Sequence, residues 1–433
     1  MRGAVTAWNR WPVFRDQTVV GLYHRDAPLP RLPKPFIAHG NGRSYSDVCL
    51  NEGGFLLDMR ALDRFISFDR RTGRICCEAG VLLEDLVRLT VPQGWFLPVT
   101  PGTLQVTIGG AIANDVHGKN HHVAGSFGRH VLKLALRRSD GELKLCGPDL
   151  EDGWFAATVG GLGLTGVILW AEIQLLRIAG EQMILQSTRF ESLDDFWAMN
   201  DEAAGNWPYT VAWLDCLAPS RGALGRGWLH CGRHAAEPGP AVAEPGRPHR
   251  IGFVPPVSLV NRASARAFNA LYYRAPRSVA APGHFQPFFY PLDRIRDWNR
   301  LYGPRGFLQY QCVLPPPNAR TVLPQILKRI SAGREAALLG VLKTFGDFPA
   351  AGLLSFARAG VTLAVDFPNR GERTMRLFRD LDRVVLDAGG ALYPAKDARM
   401  PARMFRAGYA RIEEFTRYLD PMMSSSFWRR VSD

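Results

Sequence analysis

The residues with the clearest chemical potential sit in runs of glycine and small polar side chains. The first, HGNGRSYSD, spans His39 to Asp47 directly after the apolar FIA. Gly40 and Gly42 flank Asn41 and let the backbone take positive φ, so that successive peptide N–H groups form a nest for phosphate oxygens, with Arg43, Ser44 and Ser46 adding donors beside Tyr45. Alone, this run also fits a tight turn between strands, because the GxGxxG spacing of dinucleotide folds is absent. The second run, PVTPGTLQVTIGGAIANDVHGKNHH (98 to 122), holds Gly102, Thr103, Thr107, Gly109, Gly110 and Asn114 and ends on His117, Gly118, Lys119, Asn120, His121 and His122. So many small residues waste core volume unless something flat or phosphorylated packs against the backbone, which points to a bulky cofactor. A third run, TVGGLGLTGVILWAEIQL (158 to 175), repeats the pattern with Gly160, Gly161, Gly163 and Gly166 ahead of an apolar stretch that includes Ile168. The histidines of the second run lack a carboxylate partner, so no metal site is expected.

The elements that must hold these runs read as an α+β fold. FLLDM (55 to 59), FISFD (65 to 69) and RICCEAG (74 to 80) have strand character, and LLEDLVRLTVPQG (82 to 94) has helical spacing with a stop at Gly94. Beyond residue 178 the texture changes. The Pro/Gly/Arg-rich passage from Ala218 to Arg250 reads as a long mobile loop, within a mobile region expected over about 218 to 285. Segment 251 to 277 mixes large apolar groups with arginines and no acid, which suits either a core cap or a membrane surface. Strands are expected at 307 to 315 and 360 to 368, with helices at 321 to 333 and 374 to 390. The division is a cofactor-binding domain over 1 to 178, a substrate domain over 179 to 389, and a C-terminal segment, 390 to 433, returning to the first domain.

A chain of 433 residues with 46% hydrophobic and 21% charged residues supports sizeable cores in two domains rather than disorder. The formal net charge of +13 favours an anionic partner. The arginines are dispersed, without a basic block or a zinc-finger spacing, so no nucleic-acid partner is expected and lipid or phosphate chemistry fits better. Seven cysteines in no metal-ligand spacing read as reduced thiols. No signal peptide and no apolar stretch of bilayer length are visible, which places the expected membrane contact at the surface, on the cytoplasmic side of the inner membrane.

The three runs, in this order, resemble the FAD-binding (PCMH-type) domain of the vanillyl-alcohol oxidase superfamily, and within it the flavoprotein subunits of polyprenylphosphoryl-ribose 2′-epimerases. The resemblance continues through FYPLDRIRDWNRLYGPRGFLQYQ (289 to 311), LKTFG (342 to 346), VDFP (365 to 368) and LYPAKD (392 to 397), nearly the whole chain. It implies two domains, the second an antiparallel sheet with flanking helices. It implies FAD contacts at Arg43, Ser44, Tyr45, Gly102, Thr103, Thr107, Gly110, His117, Gly118, Ile168 and Tyr393, to which the loops add Gly40, Asn41, Gly42, Gly109 and Asn114. It implies substrate contacts at Tyr45, His117, Lys119, Gln309, Gln311, Lys343 and Lys396. The implied activity is oxidation of the 2′-hydroxyl of a lipid-linked sugar phosphate, with an NADH-dependent short-chain reductase completing epimerisation to the arabinose donor for envelope synthesis. Two departures stand out: Ser46 replaces a glycine of the family, and Ala364 stands where close relatives carry a cysteine.

The residues taken without the family agree. Alcohol oxidation by a flavin needs a hydride acceptor, a group for the hydroxyl proton and a positive charge near the reduced ring. Lys396 suits the charge or, if desolvated, the base, and His117 is the other base candidate. An aldonolactone or alditol oxidase on a soluble sugar is the alternative enzyme, and a non-catalytic flavin- or lipid-phosphate-binding module the alternative of another class. Some superfamily members tether FAD through a first-loop histidine, whereas Ser44 and Tyr45 stand in that neighbourhood here, so FAD is expected to be noncovalent. Acid precipitation of the yellow protein should leave the flavin absorbance in the supernatant; colour retained in the pellet would show a covalent bond.

Overall fold

A computed structural model describes residues 5–150, 152–218, 224–237, 239, 246–275, 280–333 and 335–432. The expected loop and the arginine-rich segment fall partly on residues 219–223, 238, 240–245 and 276–279, which lie outside the described residues.

The first part of the chain builds two larger sheets, besides the short pair Trp95–Phe96 and Leu176–Arg177. Thr18–Gly21, Phe55–Asp58 and Phe36–His39 pair in that order as a parallel three-stranded sheet. Phe65–Asp69, Arg74–Glu78, Val167–Gln174, Val131–Arg137 and Leu143–Cys146 form an antiparallel five-stranded sheet. The helix Leu83–Thr90 buries Leu83, Leu86, Val87 and Thr90 along one stripe and runs into a tight turn that ends on Gly94 in the left-handed region. Cys76 and Cys77 face opposite sides of their strand, Cys77 wholly buried, and all seven cysteines are free thiols.

The second part is an antiparallel eight-stranded sheet, completing an α+β fold of two domains. Its order is Ala281–His284, Gln182–Phe190, Gly227–His234, Tyr209–Leu214, Gly340–Phe345, Gly360–Pro368, Phe307–Leu314 and Ala391–Leu392. Helices Leu193–Asn206, Pro316–Ala332 and Glu372–Asp387 pack against it. Period-two alternation sorts the side chains. Tyr310, Cys312, Leu342, Leu363 and Val365 enter the core shared with those helices. Their sequence neighbours Gln309, Gln311, Val341, Lys343 and Ala364 face the other way, into a cavity.

Four elements depart from the sequence expectation. Gly227–His234 lies inside the passage expected as a loop, yet it pairs with a neighbour on each side. The glycines and prolines flanking it had masked the alternation of GWLHCGRH. Residues Arg262–Arg274 form a helix with an Asn261 cap, and Ala281–His284 forms the sheet edge, both within the region expected to be mobile. The helix expected from residue 321 begins at Pro316, because prolines in the first turn lack only N–H groups that have no intrahelical acceptor.

The C-terminal segment adds Ala391–Leu392 to the sheet and then crosses to the first domain. The Phe36 N–H donates to Met422 O (2.8 Å), the Ser424 N–H donates to Phe36 O (2.9 Å), and Arg430 pairs with Asp47. Beneath this crossing Arg399 is held between Asp382 and Asp397, at 2.8 and 2.9 Å from its Nη2. Removing the guanidinium strands two buried carboxylates, so Arg399→Ala should lower unfolding free energy by about 3–5 kcal/mol. Urea unfolding checks this, and a loss under about 1 kcal/mol would show that the cluster is not structural.

Candidate functional site

The glycine-rich runs meet because of close backbone approaches. Strand Phe36–His39 ends at His39, kept neutral by burial, whose Nδ1–H donates to Cys49 O (2.8 Å) and closes the loop between them. Gly42 turns the chain at φ +61°, and Gly40 lies so near the Thr107 hydroxyl that any Cβ there would collide with it. Thr107 in turn caps the short helix Ile108–Ala113 by accepting from the Gly110 N–H (3.2 Å), and Asn41 Nδ2 donates to Gln105 O (2.8 Å). The two loops are therefore one surface. The Arg43 guanidinium stacks 4.1 Å from the Trp8 ring centroid.

The second loop is anchored from the other domain. Asp293 accepts from Thr103 Oγ1 (2.6 Å) and the Leu104 N–H (2.8 Å). Asp115, wholly buried, accepts from Ser355 Oγ (2.5 Å) and the Gly128 N–H (2.8 Å). The C-terminal turn closes the ring: Tyr393 Oη donates to Asn114 O (2.9 Å), and the Tyr45 N–H donates to Ala395 O (2.8 Å).

All these elements surround one cavity of about 870 Å³. It is lined by every residue given a cofactor or substrate contact above, whereas Ser46, expected as a further donor, is buried with its Oγ accepting from the Val48 N–H (3.3 Å). Gly40, Asn41, Gly42, Arg43, Ser44 and Tyr45 border it from the first loop. Gly102, Thr103, Thr107, Gly109, Gly110 and Asn114 border it from the second. His117, Gly118 and Lys119 follow, with Ile168 and Tyr393 on either side, and Gln309, Gln311, Lys343 and Lys396 close it from the sheet and the final turn. His121 and His122 point elsewhere, His121 onto Phe345 (4.5 Å between centroids) and His122 Nε2 to Trp207 O (3.0 Å). No metal-holding cluster occurs among the described residues.

The loops fit a dinucleotide cofactor. Arg43 Nε, Asn114 Oδ1 and His117 Nδ1 are buried polar atoms with no protein partner, all on the cavity-lining runs. Such atoms are costly unless a ligand satisfies them.

At the sheet end the electrostatics are unusual. Lys119, Lys343 and Lys396 line one cavity, and burial pulls all three below the ordinary lysine value, Lys119 to about 7 and Lys343 to about 8. Lys119 donates to Phe288 O and stands 4.3 Å from that ring's centroid, while Lys343 reaches Gly118 O (3.4 Å). Lys396 Nζ sits 3.3 Å from the Tyr45 ring centroid. Asp366, itself pushed up by burial, opposes the lowering of Lys396 and accepts from Gln309 Nε2 (2.6 Å). Burial also holds His117 well below its usual range, helped by the nearby Lys343 charge. Gln311 Nε2 donates to His117 Nε2 (3.0 Å), leaving the ring proton on Nδ1.

Asp293, Asp366 and Trp8 were not singled out from the sequence. Both aspartates stand inside motifs quoted above, FYPLDR and VDFP, but their partners Thr103 and Gln309 lie on other elements, and no local spacing announces those pairs. Trp8 has no motif at all.

The chain's relatives agree with this geometry. Residues 30–147 match the FAD binding domain family. Decaprenylphosphoryl-β-D-ribose oxidase of Mycolicibacterium smegmatis is 38% identical over 414 residues, which is 91% of this chain and 88% of that protein. L-gulonolactone oxidase of Mus musculus is 31% identical over 155 residues, 35% of this chain and 33% of its own. Cytokinin dehydrogenase 7 of Oryza sativa subsp. japonica is 30% identical over 154 residues, 33% of this chain and 28% of its own.

Proposed function

The chain belongs to the family of FAD-dependent oxidoreductases that includes decaprenylphosphoryl-β-D-ribose oxidase, and on that premise we propose that it oxidises the 2′-hydroxyl of a polyprenylphosphoryl β-D-ribose to the 2′-keto sugar. Its cofactor is FAD, which when bound supplies the hydride acceptor. The two loops, with Arg43, Asn114, His117 and Tyr393, are the residues that would hold it, without a covalent bond.

One observation carries the reading: the cavity that follows the glycine-rich loops runs past Lys119, Lys343 and Lys396. Three buried lysines with one neighbouring carboxylate, Asp366, at this end suit a substrate that brings its own negative charge, as a sugar phosphodiester does. Lys119 and Lys343 are assigned to anion binding, since an arriving phosphate stabilises their charged forms. Lys396, partly neutralised by burial, takes the proton from the 2′-hydroxyl onto Nζ. Asp366 steadies that lysine and is itself held by Gln309. His117, neutral, presents an Nδ1–H to a cofactor or sugar oxygen, and Gln311 fixes its tautomer.

The product is a reactive ketone, and a separate NADH-dependent short-chain reductase completes the epimerisation. Contact with the membrane is peripheral and cytoplasmic. It is supported by the exposed Phe253, Val257 and Leu271 among the arginines of 250 to 274, and no helix among the described residues is long and apolar enough to cross a bilayer.

Anaerobic mixing with a polyprenylphosphoryl ribose should bleach the flavin band, while L-gulonolactone should not; the opposite pattern would make the chain an aldonolactone oxidase. Lys396→Ala should keep bound flavin and lower kcat by at least about 100-fold. In the wild type kcat, read with the phosphate already holding Lys119 and Lys343 charged, should rise with pH as Lys396 loses its proton and level off below the ordinary 10.5 of a lysine, because burial moves the loss downward. A variant near wild-type turnover would remove Lys396 from the mechanism.

A further inference from the structure

The cavity does not stop at the lysines. It continues across the exposed face of the eight-stranded sheet, and its register can be followed strand by strand. Gln311 lies opposite Ala364, Ala364 opposite Val341, and Val341 opposite Trp213. Beside Trp213 on its strand, Val211 lies opposite His230, and His230 opposite Ser187. All of these residues line the cavity. Neighbouring strands are spaced by about 4.8 Å, so the path from the strand of Gln311 to that of Ser187 covers about 24 Å.

The character of the wall changes along this path. At the flavin end it is polar, with Gln309, Gln311 and Lys343. Past Val341 it is dominated by Trp213, Val211 and Leu185, and Ser187 Oγ and His230 Nδ1 there share a 2.8 Å hydrogen bond. The helix Arg262–Arg274 roofs this limb. Its Tyr272 packs on Trp213 (4.5 Å between centroids) and Phe268 stacks on Tyr272 (5.7 Å), both also lining the cavity. On the outer side of the same helix Leu271 is 73% exposed, and the segment before it exposes Phe253 and Val257. A free sugar or sugar phosphate has no use for a limb of this length and polarity. A phosphate carrying a linear head-to-tail run of prenyl units matches it in order: charged group at the lysines, hydrocarbon along the sheet, and exit at an apolar rim.

Building on the proposed oxidation, we propose that this limb is the seat of the substrate's hydrocarbon chain, laid across the sheet beneath the helix Arg262–Arg274 and leaving the protein beside Leu271. Binding energy from the chain is then available to hold the sugar against the flavin, so the chain contributes to turnover as well as to membrane residence.

The test compares farnesylphosphoryl β-D-ribofuranose with methylphosphoryl β-D-ribofuranose on the FAD-loaded enzyme in detergent. The wild type should favour the farnesyl compound in kcat/KM by at least about 100-fold. Val211→Phe, and independently Ser187→Leu, should shrink that preference by about tenfold as the limb narrows, with the flavin absorbance band reporting intact folding. Equal kcat/KM for the two compounds in the wild type would overturn the chain site and leave the proposed oxidation standing. Oxidation of neither compound would instead remove the proposed oxidation. The chain site is then judged by farnesyl phosphate alone: quenching of tryptophan fluorescence that is lost in Trp213→Phe upholds it, and absence of quenching in the wild type overturns it.

Discussion

The hydrogen bond from the Tyr45 N–H to Ala395 O ties a loop near the beginning of the chain to a turn near its end. Everything at the reactive end of the cavity depends on that tie. It sets Lys396, the next residue after Ala395, over the Tyr45 ring, and Tyr45 is itself wedged against Phe307 at 5.0 Å. The lysine is thus held by an aromatic face on one side and by the influence of Asp366 on the other, with little freedom to reach water. A cation placed this way loses hydration without gaining a full counter-ion, which is why its proton is weakly held.

The same constraint explains why the two domains are not independent. Asp293 of the second domain pins the Thr103–Leu104 turn of the first, and Ser355 of the second satisfies the buried Asp115 of the first. The C-terminal segment then hydrogen-bonds along Phe36 and pairs with Asp47. Each contact is a charge-assisted or backbone hydrogen bond in a buried place, so each is expensive to leave unmade. Together they hold the cavity walls from both domains at once.

The cavity combines two problems that separate proteins usually solve apart. Its flavin end needs backbone exposed to a phosphate-bearing cofactor, hence the crowding of small residues in the two loops. Its sheet end needs desolvated cations and an apolar floor. The antiparallel sheet supplies both by alternation, because one face of each strand feeds the helix-covered core while the other is free to vary from glutamine and lysine to valine and tryptophan.

Much of the site was legible in the sequence by itself. The runs from His39, Pro98 and Thr158 declared a cofactor because glycine is placed so densely only where backbone must approach something closely, and the motifs around Gln309, Lys343 and Lys396 carried the family with them. The strands at 55, 65, 307 and 360 followed from alternation, and the helix near 374 from its buried stripe. What the sequence could not declare were relations between distant elements. The strand Gly227–His234 was hidden by flanking glycines and prolines, since pairing partners on both sides, not local propensity, make it a strand. The roles of Asp293 and Asp366 depend on Thr103 and Gln309, which neither spacing nor composition links to them. The continuous path from Gln311 to Ser187 exists only once six strands are in register. Local residue type determined where a cofactor would be approached; the tertiary structure decided which charges face one another there, because burial and distance, which set those charges, are properties of the folded chain alone.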